Sequence, residues 1–203
     1  MRTFDESNLI AALERLPAPL RVVFAAACAE RQMPAYRRFE AQNGQDAPNA
    51  LDRALADAWM DPSPVQDREG FNRLIEELMA LVPQEEGFRR PWTQDATNAQ
   101  NAGMAAVYVL RTKLAGEAQE AAWTARVAYE ALDNFVINSA GIDMNKPGEE
   151  PRVIAHPLVQ AELDRQQRDL DELGAGDRDQ PRLCARLRAR AVAEAAIFFG
   201  PHP

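Results

Sequence analysis

Residues 93–114 read TQDATNAQNAGMAAVYVLRTKL. Thr93 is a residue type that caps helices, and behind it Ala96, Ala99, Gly103 and Ala106 recur at three- or four-residue spacing. A face made of such small side chains lets a second helix approach closely. The stretch therefore predicts a long helix packed tightly against a neighbour, and the flanking sequence carries the same period.

Toward the N-terminus, residues 67–82 place Phe71, Leu74, Ile75, Leu78 and Val82 on one face, and Pro83 stops them. A helix from about Pro48 to just before Pro62 carries Leu51, Leu55 and Trp59. Thr3 and Glu6 have capping-box spacing ahead of Leu9, Leu13 and Leu16. Pro17 and Pro19 separate that helix from one carrying Leu20, Val23, Phe24, Ala27 and Cys28, which Pro34 closes. A short helix with Tyr36 and Phe39 follows and ends at Gly44.

Toward the C-terminus, Gly116 marks a corner, and Trp123, Val127, Ala131 and Phe135 define the inward face of a helix that stops at Gly141. Residues 142–155, IDMNKPGEEPRVIA, have no clear period and read as a linker. Pro157 opens a helix with Leu163, Leu170 and Leu173 inside, and Pro181 opens the last, with Leu183, Leu187, Ala191 and Phe198 inside. No run alternates long enough for a strand. The expectation is an all-α fold, one compact bundle of eight or nine helices spanning residues 1–203, with a C-terminal helical hairpin at about 157–199.

Composition narrows the function. With 203 residues the chain is long enough for one well-cored domain and short for two. The formal net charge of −8 disfavours nucleic acid and anionic membrane surfaces, whose binding requires cations, and favours a basic protein partner. Cys28 and Cys184 are too few to staple a domain of this size and read as small hydrophobes in a reducing cytosol. The N-terminal MRTFDESNLI has no apolar signal region, and the longest apolar run, VVFAAACA at 22–29, is too short to span a bilayer. A cytoplasmic protein is expected.

Chemistry is hard to place. Histidine occurs only at 156 and 202, neither with a glutamate three residues earlier, so a helical di-iron site is not expected. There is no Cys-x-x-Cys and no nucleophile-elbow, phosphate-loop or dinucleotide motif. Neither a metal nor another cofactor is expected. The pairs Glu117/Glu120, Glu130/Asp133 and Asp169/Glu172 have one-turn spacing, which acidic helices produce on solvated faces. Arg182, Arg186, Arg188 and Arg190 on the last helix read either as an anion site or as partners for the acids of the preceding helix, Glu162, Asp164, Asp169, Asp171 and Glu172. Arg89, Arg90 and Trp92, in GFRRPW at 87–92, have the residue types of an interface hot spot.

Residues 26–40, AACAERQMPAYRRFE, hold the remaining candidate. Arg31 falls in line with Phe24, Ala27 and Cys28, Glu30 lies at the edge of that stripe, and Tyr36 follows the corner at Pro34. Glu30, Arg31 and Tyr36 read either as cap, corner and anchor or as the lining of an interhelical crevice. Glu30-Arg31, Pro34, Tyr36 and Phe39 also resemble the N-terminal signature of the YjaG-like bacterial proteins, domain of unknown function 416. The similarity continues through ALADAWM, the helix with Phe71 and Asn72, and residues 93–114, covering about 8–138. It implies a compact all-helical fold and lends no catalytic residue.

Two functions follow as expectations. The first is a non-catalytic, acidic protein-binding protein, for instance an immunity protein neutralising a basic toxin domain. The alternative is an enzyme or small-ligand receptor using the crevice near Glu30, Arg31 and Tyr36. A homodimer through the small face at Ala96, Ala99 and Gly103 is a further possibility.

Overall fold

A computed structural model describes residues 1–44, 47, 49–86, 91–176 and 179–198, the last three without their side chains. Ten helices account for these residues, and no strand occurs among them. They are α1 (Glu6–Glu14), α2 (Ala18–Glu30), α3 (Met33–Asn43), α4 (Ala50–Met60), α5 (Arg68–Met79), α6 (Gln94–Ala115), α7 (Ala118–Ser139), α8 (Glu149–Ile154), α9 (Pro157–Gly174) and α10 (Gln180–Phe198). None is long and apolar enough to cross a membrane.

Two helices organise the rest. In α2 every residue from Val22 to Glu30 is buried, which follows from a segment apolar on all sides and surrounded by α4, α6, α7, α9 and α10. Helix α6 packs on α2, α3, α4, α5 and α7. Its start is set by Thr93, whose hydroxyl accepts from the Ala96 amide at 3.2 Å, and its end by Gly116 in the left-handed conformation (φ 73°). Ala96, Ala99 and Gly103 lie inside the molecule, and a Cβ built at Gly103 would stand 3.0 Å from Val82. The small face serves packing within the chain and is not available to a second copy.

The structure revises four sequence-based expectations. The N-cap of α1 is Asp5, whose carboxylate accepts from the Asn8 amide at 3.0 Å, rather than Thr3. Glu6, the expected reciprocal partner, accepts from Gln119 and Arg126 of α7 instead. Residues 1–4 run across α9: Arg2 exchanges hydrogen bonds with Gln160 and bonds Asp164, and Phe4 stacks on Tyr129 at 5.1 Å. Second, the expected linker contains α8, whose Val153 is buried with Val136, Val159 and Leu163. Third, the buried face of α7 is alanine-rich, with Ala118, Ala121, Ala122, Ala125, Ala128 and Ala131 inside, while Trp123, Val127 and Phe135 are half-buried beside it. Alanine wins the interior because α6 approaches too closely for larger side chains. Fourth, Leu74 of α5 is exposed although its spacing placed it inward.

Helices α9 and α10 run antiparallel, but each rests on other elements: α9 on α7 and α2, α10 on α2 and α3. The expected hairpin is thus joined mainly by long charged side chains, and that arrangement builds the most polar part of the interior.

Candidate functional site

The sequence of α2 places Arg31 directly after its last helical residue, one turn beyond Cys28. Its guanidinium is 2% exposed and meets α9, whose buried face carries Glu162, Arg165, Gln166 and Asp169 among Val159, Leu163 and Leu173. Arg31 Nε and Nη2 donate to the two oxygens of Glu162 at 3.0 and 2.9 Å, a bidentate pair, and Nη1 donates to Asp169 Oδ2 at 2.8 Å. Nη2 also points at Cys28 Sγ, 3.4 Å away. Glu162 receives a further bond from Gln166, which at the same time donates to the Ala125 carbonyl of α7.

Helix α10 completes the cluster. Arg190 donates to Asp169 Oδ1 at 2.7 Å and pairs with Glu172, and Arg186 donates to Glu172 at 2.6 Å. Glu194 accepts from Arg168 at 2.6 Å and lies 3.7 Å from Arg165 and 3.9 Å from Arg31. The expected pairing of the α10 arginines with the acids of α9 therefore holds for Arg186 and Arg190. Arg182 instead pairs with Asp179, Asp164 with Arg2, and Asp171 accepts from Gln167.

These contacts fix the ionisation. Burial works against the charge on Arg31, but the Glu162 and Asp169 carboxylates overcome it and hold the guanidinium protonated, well above its ordinary value. Burial pushes the Cys28 thiol far up, so it stays neutral and unreactive despite the nearby cation. Arg165, whose acids stand farther off, is shifted down by burial. Such a cluster locks three helices in register.

Glu30 points the other way, toward α3 and α4. Its carboxylate accepts from Arg37 at 3.1 Å and from Trp59 Nε1 at 3.2 Å, and Arg188 of α10 approaches to 4.0 Å. Tyr36 is fully buried, its hydroxyl donating to the Leu81 carbonyl at 3.3 Å. Glu30, Arg31 and Tyr36 thus do sit close along the chain, but they are 3%, 2% and 0% exposed and their polar atoms meet other side chains and backbone. The crevice reading gains no opening from this arrangement. Trp92 is half-buried and donates to Thr97 at 2.8 Å, which pins it to the first turn of α6. Arg89 and Arg90 lie outside the described residues.

The surface has a different character. Residues 57–86 carry eight acids, Asp57, Asp61, Asp67, Glu69, Glu76, Glu77, Glu85 and Glu86, against two arginines, and all eight are exposed. Arg68 donates to the Leu114 carbonyl and Arg73 to Glu69, so this segment keeps an excess of negative charge even with Lys113 of α6 near Asp61 and over the Phe71 ring. Beside it, α2, α4 and α10 leave a groove of about 720 Å³ floored by Leu20 and Trp59. Sequence reading considered only the total charge. Counting charge in a window of about 30 residues would have found the acidic side; the groove has no sequence signal, because its walls are 120 residues apart. Among the described residues no three His, Cys, Asp or Glu side chains gather as a metal-binding set.

The sequence profile of a family described as protein of unknown function DUF416 matches residues 8–196. The chain belongs to the DUF416 family. The match runs through α9 and α10, beyond the residues 8–138 over which the sequence signature was legible, so the buried charge cluster lies wholly within it. A crystal structure of a DUF416 family protein from Shewanella baltica OS155 superimposes with a TM-score of 0.76 over 95% of both chains, at 18% identity. At that identity the likeness establishes a shared fold. No curated protein matches the chain in sequence.

Proposed function

We propose that this DUF416 protein is a non-catalytic binding protein whose partner is a cationic protein. The observation that carries the reading is the division of its charge. Inside, Glu162 and Asp169 of α9 and Glu194 of α10 are matched by arginines at short range. Outside, the eight acids of residues 57–86 face solvent with two arginines among them. An acidic face attracts a basic partner over a Debye length, speeds its docking and repels anionic competitors. Covering a basic toxin domain, as an immunity protein does, is a task of this kind and requires surface complementarity without bond-making chemistry.

The test is affinity capture from the native cell at low and high salt, followed by mass spectrometry, with wild-type protein and the triple variant Glu69→Gln, Glu76→Gln, Glu77→Gln. The expected result is a basic protein retained at low salt, released at high salt and depleted from the variant. Toxicity of that protein when expressed alone, relieved by co-expression, would establish the immunity role. Equal capture by wild type and variant, or no protein captured, overturns the reading.

A further inference from the structure

Five large apolar side chains stand exposed among the described residues, and two of them, Met60 (72%) and Val192 (48%), line the same groove. They come from α4 and α10, far apart in sequence, and share the lining with the buried Leu20 and Trp59 and with Pro62 and Cys184. Methionine is unbranched and polarizable and fits apolar partners of differing shape, so it is over-used at binding surfaces. An isolated exposed methionine needs no explanation, whereas two exposed apolar residues over a concave apolar floor mark a docking surface.

The charge around the groove selects the occupant. Asp61 lines the α4 wall, and Asp57 is exposed one turn earlier on the same helix, at the edge of the acidic side of the molecule. On the α10 wall the single charged lining residue, Arg188, is drawn toward the Glu30 carboxylate at 4.0 Å, which partly satisfies its cation. Trp59 is anchored to the same carboxylate. The floor is thus held in place, and the charge offered to a visitor is negative along the α4 rim.

We infer that the groove between α2, α4 and α10 receives a cationic amphipathic helix of a partner protein, its apolar face seated on Met60, Trp59 and Val192 and its Lys or Arg side chains along Asp57 and Asp61. This rests on the proposed binding role and specifies where and by what chemistry the partner docks. A helix laid in a groove reads as apolar anchors at one-turn spacing, and a groove of this volume takes two or three such anchors. Trp59 makes the docking observable, because its indole lies in the floor.

The test uses two synthetic helical peptides of about 15 residues with the same leucine face, one with lysine and one with glutamate on the other face. Binding to the full chain is followed by fluorescence in a Trp92→Phe, Trp123→Phe background. The lysine peptide should bind and perturb Trp59, the glutamate peptide at least about tenfold more weakly. Met60→Asp with Val192→Asp should lower lysine-peptide affinity by about tenfold or more, since central apolar anchors dominate such interfaces. Asp57→Asn with Asp61→Asn should weaken it by a few-fold and flatten its salt dependence. Met60, Asp61 and Val192 line the groove, Asp57 is exposed one turn before Asp61, and an unchanged thermal transition will show that the variants fold. Equal binding of the glutamate peptide overturns the charge assignment. Lysine-peptide binding that survives Met60→Asp with Val192→Asp places the peptide elsewhere and overturns the groove, while leaving the acidic-surface reading intact. A concentration-dependent dimer abolished by Met60→Asp overturns it in favour of a second copy of this chain. Failure of both peptides to bind also overturns it, whatever the capture experiment returns.

Discussion

Two charge-rich regions of this molecule show opposite solutions to one electrostatic problem. Around Arg31, α2, α9 and α10 converge on an interior where Glu162 and Asp169 are each 1% exposed and each is paired. Along residues 57–86 eight acids are left facing water. Removing a charge from water costs several kcal/mol, so the buried acids persist only with partners at hydrogen-bonding distance. The exposed acids keep their hydration and repel one another weakly through a high dielectric. The first region therefore sets structure and register, and the second is free to be selected for what it attracts.

The most disruptive way to break the comparison is Arg31→Met. It leaves Glu162 and Asp169 buried without their shared cation and should cost about 3–5 kcal/mol, read as a lowered urea midpoint. If the cost comes from orphaned carboxylates rather than lost packing, adding Glu162→Leu to that variant should recover part of it. A further loss in the double variant would show that the cluster contributes through packing alone.

Protonation gives a finer contrast. Burial alone would raise the Glu172 carboxyl, but hydrogen bonds from Arg190 and Arg186 hold it below the ordinary glutamate value. A depressed folded pKa contributes stability above the unfolded value, about 4.3, and that contribution is lost as pH falls through the lower folded value. Glu120 has the opposite sign: burial is the largest influence and raises it, Glu117 adds to the rise, and Arg111 opposes it. Its charged form is disfavoured in the folded state, so it costs stability at neutral pH, and the cost is relieved as pH falls. Glu172→Gln should lower the neutral-pH midpoint and shrink the loss between pH 7 and pH 3. Glu120→Gln should leave the midpoint unchanged or raise it. Urea titrations at the two pH values distinguish these outcomes, and identical behaviour of the two variants would erase the contrast.

The smallest effect belongs to the surface. Glu69→Gln, Glu76→Gln and Glu77→Gln, separately, should each shift stability by no more than about 0.5 kcal/mol in urea denaturation. A larger loss would mean that this side of α5 has a structural role and that the division into structural and attracting charge is wrong.

How far these regions could be read in advance follows from the range of the interactions that make them. The helices of the core were legible because their apolar residues recur within one turn, and because Thr93, Gly116 and the prolines at 34, 157 and 181 act on their own backbone. The pairing of Arg186 and Arg190 with α9 was legible because a short loop joins the two helices. The buried role of Glu162 was not. Its partner Arg31 is 131 residues away, and within its own helix Glu162 looks like one of several surface acids.

The amino-acid sequence alone determined the all-α class, the limits of every helix but α8 to within a few residues, the acidic balance and the family signature, since each is encoded in neighbours along the chain. Tertiary structure decided which charges are interior and which are exterior, closed the space around Glu30, Arg31 and Tyr36, and brought Met60 and Val192 to one groove. Burial and partnership depend on which helices meet, and that is settled by the packing of small residues along α6 and α7 and by the reach of arginine across α2, α9 and α10.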